Sequence, residues 1–373
     1  MKYKVLNEIE ISGSNLTHNF NYFLSRNSDL AIAPVLKANA YGHGLTNIAH
    51  FVQTHLTVPF ICVDSLYEAY ELMKSGIKSE IFIMGYTDPT NYAVWKKLPF
   101  IFSVWDNETI EALNRDQPGA RIHIKLDTGM SRLGLMEDEI TKFLGVLKKC
   151  TSLRVQGIYS HLASADDPNQ ASVTNSQIAS FKKMVRLFER EGYDFKWKHI
   201  ASSAGASYIN DNYFNLIRLG LGFYGYTPFS PKSKIGQAQK NSLKPALTLR
   251  STIAAIKKLT AGDRVGYGGT YTAKNNEEIV ILPLGYNEGL SRDLSNSGSV
   301  LIKDIACPIV GRICMNMTTV KLPRAMASLG DKVIVVSNDP DAACSIYQIA
   351  DKLNTIPYTV LTALSSTIRR RVI

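Results

Sequence analysis

The stretch with the clearest chemical content is APVLKANAYGHG, residues 33–44, in which a short apolar run ends abruptly in Lys37. Residues 31–36 have the length and composition of a buried strand. A lysine directly after such a strand is either a solvated charge or a partly desolvated amine. Burial disfavours the ammonium form, and the neutral amine is the nucleophile that forms Schiff bases. On position alone, the solvated charge is the commoner case.

An alternation of short apolar strands with amphipathic helical stretches follows this lysine. Eight strands are predicted, at about residues 31–36, 60–63, 81–84, 100–103, 121–126, 155–160, 198–201 and 215–218. Such an alternation indicates a parallel sheet with right-handed crossovers, and eight strands are the number that closes a (β/α)8 barrel. The predicted fold class is therefore α/β, with a TIM-like barrel in residues 1–235.

The composition and hydrophobic pattern of the chain change after Tyr226. The next nineteen residues, TPFSPKSKIGQAQKNSLKP, are polar and rich in Pro, Ser and Lys, which is typical of a linker or an exposed excursion. From Ala246 onward, strand-like segments are separated by turns rich in Gly, Asn and Asp. We expect a mostly antiparallel β domain, placed at residues 236–373. The alternation at residues 3–10 predicts one more strand, a candidate for pairing with that domain.

The barrel interpretation makes polar residues at the strand ends informative, because barrel active sites lie at the carboxyl ends of the strands. These residues are Lys37 after the first strand, the run 127–132 after the fifth, His161 after the sixth, Ser202 and Ser203 after the seventh, and Arg218 in the eighth. Ordinary structural explanations exist: His161 as a solvated histidine, Ser202 and Ser203 as a helix N-cap, and Arg218 as a partner in a structural salt bridge. Together they would converge on one face, and a helix start after strand seven is also where barrels bind phosphate.

Composition excludes several other classes of protein. The chain has 373 residues, which favours two domains, and a formal net charge of +10. Its basic residues come in small groups without a nucleic-acid-binding motif, so we interpret the charge as a solubility bias that also attracts anionic small molecules. Five scattered cysteines form neither a disulfide framework nor a metal site. With no apolar leader and no long apolar stretch, we expect a cytoplasmic protein that binds neither membrane nor nucleic acid.

In their order, the motifs of this chain resemble those of the alanine racemase family, and the similarity covers essentially the whole chain. The matching segments are VLKANAYGHG, HIKLDTGMSRLG, YSHLASAD, ASSAG, IRLGLGFYG, VGYGGTY, PLGYNEG and GRICMNM. The first segment is highly specific, and so is the order of all eight. The other segments are individually modest signals.

The resemblance implies pyridoxal 5'-phosphate as the cofactor, held by Lys37 as an internal aldimine. Lys37 would also be one of two catalytic bases, and Tyr267, contributed by the neighbouring subunit of a homodimer, would be the other. The remaining implied roles concern binding of the cofactor and the substrate. They are Tyr41, Ser203, Gly220 and Leu221 on the phosphate, His161 against the pyridine ring, Arg218 on the ring nitrogen with His199 orienting it, Arg132 beside the phenol, Lys125 as the lysine carbamylated in some members, Met315 donating its N–H to the substrate carboxylate, and Tyr286 at the entrance.

The implied function is interconversion of L-alanine and D-alanine, with D-alanine supplied to peptidoglycan. Racemisation takes a proton from Cα on one face and returns it on the other, so two bases must flank the substrate. An arginine at the ring nitrogen has only donors and stays charged, which limits the electron sink and suppresses side reactions. The alternatives are a racemase of the same fold acting on serine, lysine or ornithine, a decarboxylase or aldolase on the related barrel, and a non-catalytic pyridoxal-phosphate-binding protein.

Several positions depart from the family pattern. Asn316 stands where aspartate is common, and Asn287 with Glu288 replaces Ala-Asp in the GYADG motif. Ser202 stands where asparagine is frequent, and Ser366 occupies roughly the place of a phosphate-binding tyrosine. We expect these changes to affect substrate preference and cofactor affinity.

Overall fold

The first strand of the chain belongs to the sheet of the second domain, and the helix that follows leads into the barrel. The computed structural model describes residues 3–27, 29–209, 211–323 and 327–373. Strand β1 (Glu8–Ile11) is followed by helix α1 (Gly13–Arg26). The Ser12 hydroxyl caps this helix by accepting a hydrogen bond from the Asn15 N–H, which fixes the chain direction between the two elements.

Eight parallel strands form the barrel, as the sequence predicts. They are β2 (Ala31–Pro34), β3 (Ile61–Val63), β4 (Ile81–Ile83), β5 (Ile101–Val104), β6 (Arg121–Lys125), β7 (Arg154–Tyr159), β8 (Trp197–His199) and β9 (Leu216–Leu219). Strands β3 to β8 pair in chain order, and β2 pairs with β9. The ring is closed by hydrogen bonds from the Leu36 N–H to the Cys62 carbonyl (2.8 Å) and from the Arg218 N–H to the Ala201 carbonyl (3.0 Å).

Helices cover the outside of the barrel. They are α3 (Leu45–His55), α4 (Leu66–Lys74), α5 (Asn107–Asp116), α6 (Ile140–Leu147) and α7 (Ala171–Arg190), whereas the single short turn α2 (Lys37–Tyr41) has left-handed backbone angles and lies at the carboxyl end of β2. The helix expected after the seventh strand of the barrel is only a 3-10 turn, Gly205–Ser207, so Ser202 and Ser203 do not cap an α-helix. The Ser203 hydroxyl instead accepts a hydrogen bond from the Gly222 N–H, and this bond joins the loops after β8 and β9.

The remainder of the described chain forms a mostly antiparallel β domain with three short helices. The strands are β10 (Leu247–Thr252), β11 (Ala255–Leu259), β12 (Arg264–Val265), β13 (Tyr271–Thr272), β14 (Glu277–Leu282), β15 (Ser299–Ile302), β16 (Ile305–Pro308), β17 (Thr318–Leu322), β18 (Lys332–Val336) and β19 (Arg369–Val372). The helices are α8 (Lys234–Ser242), α9 (Ile346–Lys352) and α10 (Pro357–Thr362). Across the described ranges, no helix has the length and apolar character needed to traverse a bilayer.

The main sheet of this domain has the strand order β16-β15-β18-β10-β1-β19. Strand β1 pairs antiparallel with β10 and parallel with β19, so the strand predicted at residues 3–10 does join the second domain. A second sheet, β11-β14-β17, is antiparallel throughout. The predicted β domain is thereby confirmed.

The polar stretch after Tyr226 is not an exposed linker. Thr227, Phe229 and Leu243 are buried, and the Thr227 N–H donates to the hydroxyl of Tyr347 in α9. The stretch also contains α8, so the expected division at residue 235 lies within a helix. The composition did not predict this burial, because only a few apolar residues pack against the protein and the rest of the segment is polar.

Aromatic and histidine side chains fill the barrel below its carboxyl end. The rings of Tyr159 and His199 are stacked at 4.9 Å, and those of Phe82 and His123 lie 4.6 Å apart. This packed layer is the floor on which the polar residues of the strand ends lie.

Candidate active site

A cavity of about 500 Å³ opens at the carboxyl ends of the barrel strands. The polar side chains that line it come from almost every predicted strand end. They include Lys37, Tyr41, Asp64, Lys125, Arg132, His161, Ser202, Ser203, Arg218 and Tyr358, beside the backbone of Gly220 and Leu221. The structure therefore brings together the barrel residues that the sequence analysis selected. What each one does there stays a prediction at this point.

Lys37 lies at the mouth of this cavity. Its side chain is 39% exposed, and its Nζ lies 3.6 Å from the carboxylate of Asp64, which follows the next strand, β3. The lysine is thus neither fully buried nor simply solvated. It is an amine held at the edge of a cavity by one carboxylate.

The backbone that follows Lys37 has an uncommon conformation. Ala38, Asn39, Ala40 and Tyr41 all have left-handed φ angles, between 52° and 55°. For residues with a Cβ this costs about 1–2 kcal/mol each, so the turn persists only if its surroundings hold it. The Asn39 side chain accepts a hydrogen bond from the Leu45 N–H (2.9 Å), which ties the turn to the start of α3.

The strained turn also positions Tyr41. Its ring lies against those of Tyr224 (5.1 Å) and Tyr358 (5.9 Å), and its hydroxyl faces Gly220. A Cβ on Gly220 would lie 2.6 Å from that hydroxyl, so a larger residue there would displace the Tyr41 side chain. Burial raises the pKa of Tyr41, which keeps the phenol neutral and able to donate a hydrogen bond.

Arg218 is a cation buried beneath the cavity. Its Nη1 donates to His199 Nδ1 (2.7 Å), and its Nη2 donates to the Ser160 carbonyl (2.7 Å) and to His161 Nδ1 (3.1 Å). These bonds compensate for burial of the guanidinium, whose pKa burial lowers. Among the described residues its Nε–H has no hydrogen-bond acceptor, so the side chain keeps a donor for a group bound in the cavity.

The hydrogen bonds of Arg218 fix the proton positions on a relay of two histidines. Arginine can only donate, so His199 accepts at Nδ1 and carries its proton on Nε2. His199 Nε2 lies 3.0 Å from His123 Nδ1, which must therefore be the acceptor. Burial, followed by the charge of Arg218, lowers the pKa of His199 well below its usual value, and burial lowers that of His123 to about 3. The relay is neutral at physiological pH, and it holds Arg218 as the cation.

Two further groups near Lys37 are deprotonated more readily than usual. Burial lowers the pKa of His161 well below its usual range, and Arg218 lowers it further, so the imidazole is neutral. Burial, together with the charges of Arg218 and Arg132, lowers the pKa of Lys125 to about 8. Both shifts come first from burial and second from the excess of positive charge at this end of the barrel.

Arg132 is positioned by the loop after β6. The Asp127 carboxylate accepts backbone N–H bonds from all four residues 129–132, at 2.8–3.1 Å. Burial opposes ionisation of Asp127, but these four bonds prevail and lower its pKa. Asp127 is therefore an anchor for the loop rather than a group that faces the cavity.

The four β-domain residues that the resemblance implies do not line this cavity. Tyr267, Tyr286, Met315 and Asn316 are all in the β domain, and the first three are 70%, 42% and 56% exposed. Tyr267 is in a turn of glycines, with Arg264 donating to the carbonyls of Gly268 and Gly269. Asn316 donates its amide to Glu288 (2.8 Å).

Sequence reasoning missed several polar residues of the cavity, among them Asp64 and Tyr358. Asp64 follows β3 and could have been found by extending the strand-end test to that strand. Tyr358 lies on α10, which was not predicted, and burial raises its pKa to about 12. Ser366, considered instead, lies outside the cavity in a neighbouring groove with Arg369 and Arg370.

The fold and the cavity together define a class: two-domain proteins with a (β/α)8 barrel, a lysine at the edge of the cavity at its carboxyl end and a following β domain. Residues 11–228 match the family model of the alanine racemase N-terminal domain, and residues 246–372 match that of the C-terminal domain. The chain therefore belongs to the alanine racemase family.

Individual relatives agree with this assignment. The chain is 36% identical to the alanine racemase of Streptococcus uberis over 343 residues, which cover 91% of this chain and 90% of that one. It is 35% identical to alanine racemase 2 of Bacillus subtilis over 348 residues, covering 91% and 87%. Among solved structures, the alanine racemase of Clostridium difficile 630 superposes with a TM-score of 0.91 at 29% identity, covering 100% of this chain and 97% of that one. The Bacillus anthracis enzyme with bound L-Ala-P gives 0.90 at 29% identity, covering 100% and 96%.

The left-handed turn generates a prediction about Gly42, which ends it with a φ of +79°. A Cβ there would lie 2.0 Å from the Leu361 carbonyl of α10, whereas a Cβ on Gly76, at a similar φ of +84°, meets nothing within 4 Å. We expect Gly76→Ala to cost about 1 kcal/mol from backbone strain alone, and Gly42→Ala to cost about 1–3 kcal/mol more. Urea unfolding of both variants measures the difference. Equal losses would show that α10 does not press on the turn.

Proposed function

We propose that this protein is an alanine racemase that interconverts L-alanine and D-alanine with pyridoxal 5'-phosphate. The observation that carries the proposal is the convergence of Lys37, Arg218 and the hydroxyls of Tyr41 and Ser203 in one cavity of a chain that belongs to this family. A free amine, a buried cation and a polar, glycine-lined end are the features that this cofactor requires.

The residues of the cavity fit the cofactor from end to end. The Lys37 amine would hold its carbonyl carbon. The hydroxyls of Tyr41 and Ser203 and the backbone N–H groups of Gly220 and Leu221 would bind its phosphate, because Gly220 and Leu221 begin a 3-10 helix whose first N–H groups have no partner within it. Tyr358 lies against Tyr41 and is a further candidate donor to the phosphate.

When bound, pyridoxal phosphate supplies the electron sink that acidifies the Cα–H of the amino acid. The neutral imidazole of His161 would pack against the pyridine ring. Arg218 would donate its free N–H to the ring nitrogen, and because a guanidinium holds its proton far more strongly than a pyridine nitrogen does, it would not transfer that proton. The ring nitrogen would then stay unprotonated, so the ring would withdraw fewer electrons from Cα. This favours return of the proton to Cα over side reactions.

Lys37 and Tyr267 would take and return the proton on opposite faces of Cα. Tyr267 is exposed on its own chain and lies outside the cavity around Lys37, so a second copy of the chain would bring it there. Tyr286 and Met315 share its exposed β-domain location, which supports a homodimer in which each subunit completes the other's site. Arg132 would lie beside the phenol, and the Met315 N–H would bind the substrate carboxylate.

The cellular role we propose is supply of D-alanine for peptidoglycan, in the cytoplasm. All five cysteines are free, four of them buried, which suits a reducing compartment.

Exchange with solvent tests the activity directly. The protein, supplied with pyridoxal phosphate, is expected to abolish the optical rotation of L-alanine in D₂O and to place deuterium at Cα of both enantiomers, because a base returns a solvent-derived proton. Serine, lysine and ornithine serve as parallel substrates, and Lys37→Ala serves as the inactive control. A loaded protein that leaves L-alanine unchanged, or that racemises one of the other three faster, contradicts the proposal.

Subunit mixing tests the shared site. Lys37→Ala and Tyr267→Phe homodimers should each be inactive, since each lacks one base at both sites. A heterodimer would have one intact site, so random mixing should restore about a quarter of wild-type activity. Mass spectrometry of the mixture confirms that heterodimers form. If confirmed heterodimers stay inactive, Tyr267 does not serve the other subunit.

Lys125 matches the lysine that is carbamylated in some family members, and we propose that it is modified here. Its neutral amine would attack carbon dioxide, forming the N–C bond and releasing one proton to solvent. With a pKa of about 8, its neutral fraction rises from about a tenth at pH 7 to about nine tenths at pH 9. The product is an anion between Arg132 and the other cations of the site, which would stabilise it.

In ¹³C-bicarbonate, we expect a carbamate resonance whose intensity rises between pH 7 and 8, as the neutral amine becomes available. Lys125→Gln should remove the signal, and Lys149→Gln, at an exposed lysine, should not. A signal that survives Lys125→Gln, or none in the wild-type protein, refutes the modification.

A further inference from the structure

Glu68 connects the two segments that carry the amine and its carboxylate partner. One carboxylate oxygen accepts a hydrogen bond from the Ala38 N–H at 2.7 Å. The other accepts one from the Asp64 N–H at 2.8 Å. Ala38 directly follows Lys37, and Asp64 forms the ion pair with Lys37, so both contacts are one residue or less from that pair.

These contacts are not those of an ordinary helix cap. Ser65 caps α4 by accepting from the Glu68 N–H, and a glutamate at this third position usually binds the N–H of the capping residue itself. Here the carboxylate reaches one residue further back, to Asp64, and leaves its own segment altogether for Ala38. The side chain therefore serves the loops after β2 and β3 rather than the end of the helix.

The Ala38 N–H is also the place where the left-handed turn begins. Asn39, through Leu45, and Arg370, which donates to the Gly42 carbonyl at 3.0 Å, restrain the turn further along. Glu68 acts at the first left-handed residue, immediately beside the amine. Asp64 is fixed in turn by the Gly85 N–H, which donates to its carbonyl at 2.9 Å.

We propose that Glu68 is a positioning residue that holds the Lys37 turn and Asp64 at a fixed separation, so that the amine is presented to the cavity in one orientation. The inference rests on the proposed function, since it assigns Lys37 the reactive role. Glu68 itself lies outside the lining of the cavity, so it would act on the amine through its neighbours and not by contact with cofactor or substrate.

Glu68→Gln tests this with little change in size. A glutamine offers one acceptor oxygen where the glutamate offers two, so one of the two N–H groups loses its partner and faces a competing donor. In the holoenzyme we expect kcat for L-alanine to fall about tenfold or more, with KM changed less than about twofold, because a misoriented reactive group affects turnover rather than substrate binding. The matched control is Glu71→Gln, about one helical turn along α4, where Lys74 is the one ion-pair partner of the carboxylate within the described ranges. It should leave both parameters within about twofold.

Hydrogen exchange supplies a readout that does not depend on activity. At least one of the two peptides that contain the Ala38 and Asp64 amides should exchange about tenfold faster in Glu68→Gln than in the wild type, while the Leu45 amide is unchanged. Faster exchange with normal kcat would make Glu68 merely structural and overturn the proposal. A lower kcat with unchanged exchange would overturn it too.

A second variant covers the case in which Glu68→Gln does not fold. Glu68→Asp keeps the charge but is one methylene shorter, so it can reach only one of the two amides, and both effects should appear in weaker form. Wild-type-like exchange and kcat in Glu68→Asp would contradict the inference. If the wild-type protein fails to racemise alanine, the proposed function fails, while the exchange experiment still decides whether Glu68 holds the turn.

Discussion

The structure depends on a backbone constraint next to one amine. Presenting Lys37 to the cavity requires four successive residues with side chains to adopt left-handed φ angles, which an isolated chain would avoid. The barrel strands, the start of α3, helix α4 and the carboxyl-terminal region all contribute contacts to this turn. Much of the surrounding architecture can be understood as support for a conformation that does not form by local preference.

The second organising feature is charge. Four basic side chains and a single carboxylate line the cavity, and the histidines next to them are held neutral by burial and by those cations. Such a site has a deficit of anions, which a phosphate group and an amino-acid carboxylate would fill.

Much of the fold could be predicted because its signal is local. The barrel strands are short, continuously apolar runs, and the turns of the β domain have characteristic compositions. The gathering of Lys37, His161 and Arg218 followed from topology alone. What the sequence did not show depends on tertiary contacts: the left-handed turn, helix α10 with Tyr358, and burial of the stretch after Tyr226. Local residue preferences do not predict these features. Each one either depends on contacts with residues more than a hundred positions away or adopts a conformation that its own residues disfavour.

The placement of β1 between β10 and β19 has a consequence for how the molecule is made. Strand β1 has its parallel neighbour, β19, about 360 residues later in the chain, and the Ile373 N–H donates to the Ile11 carbonyl beside them. The barrel segments lie between β1 and β10, so β1 gains its first partner only after they have been synthesised, and its other edge stays open until β19 follows. This part of the sheet is therefore completed late, and the two domains are joined there by backbone hydrogen bonds as well as by the connecting chain.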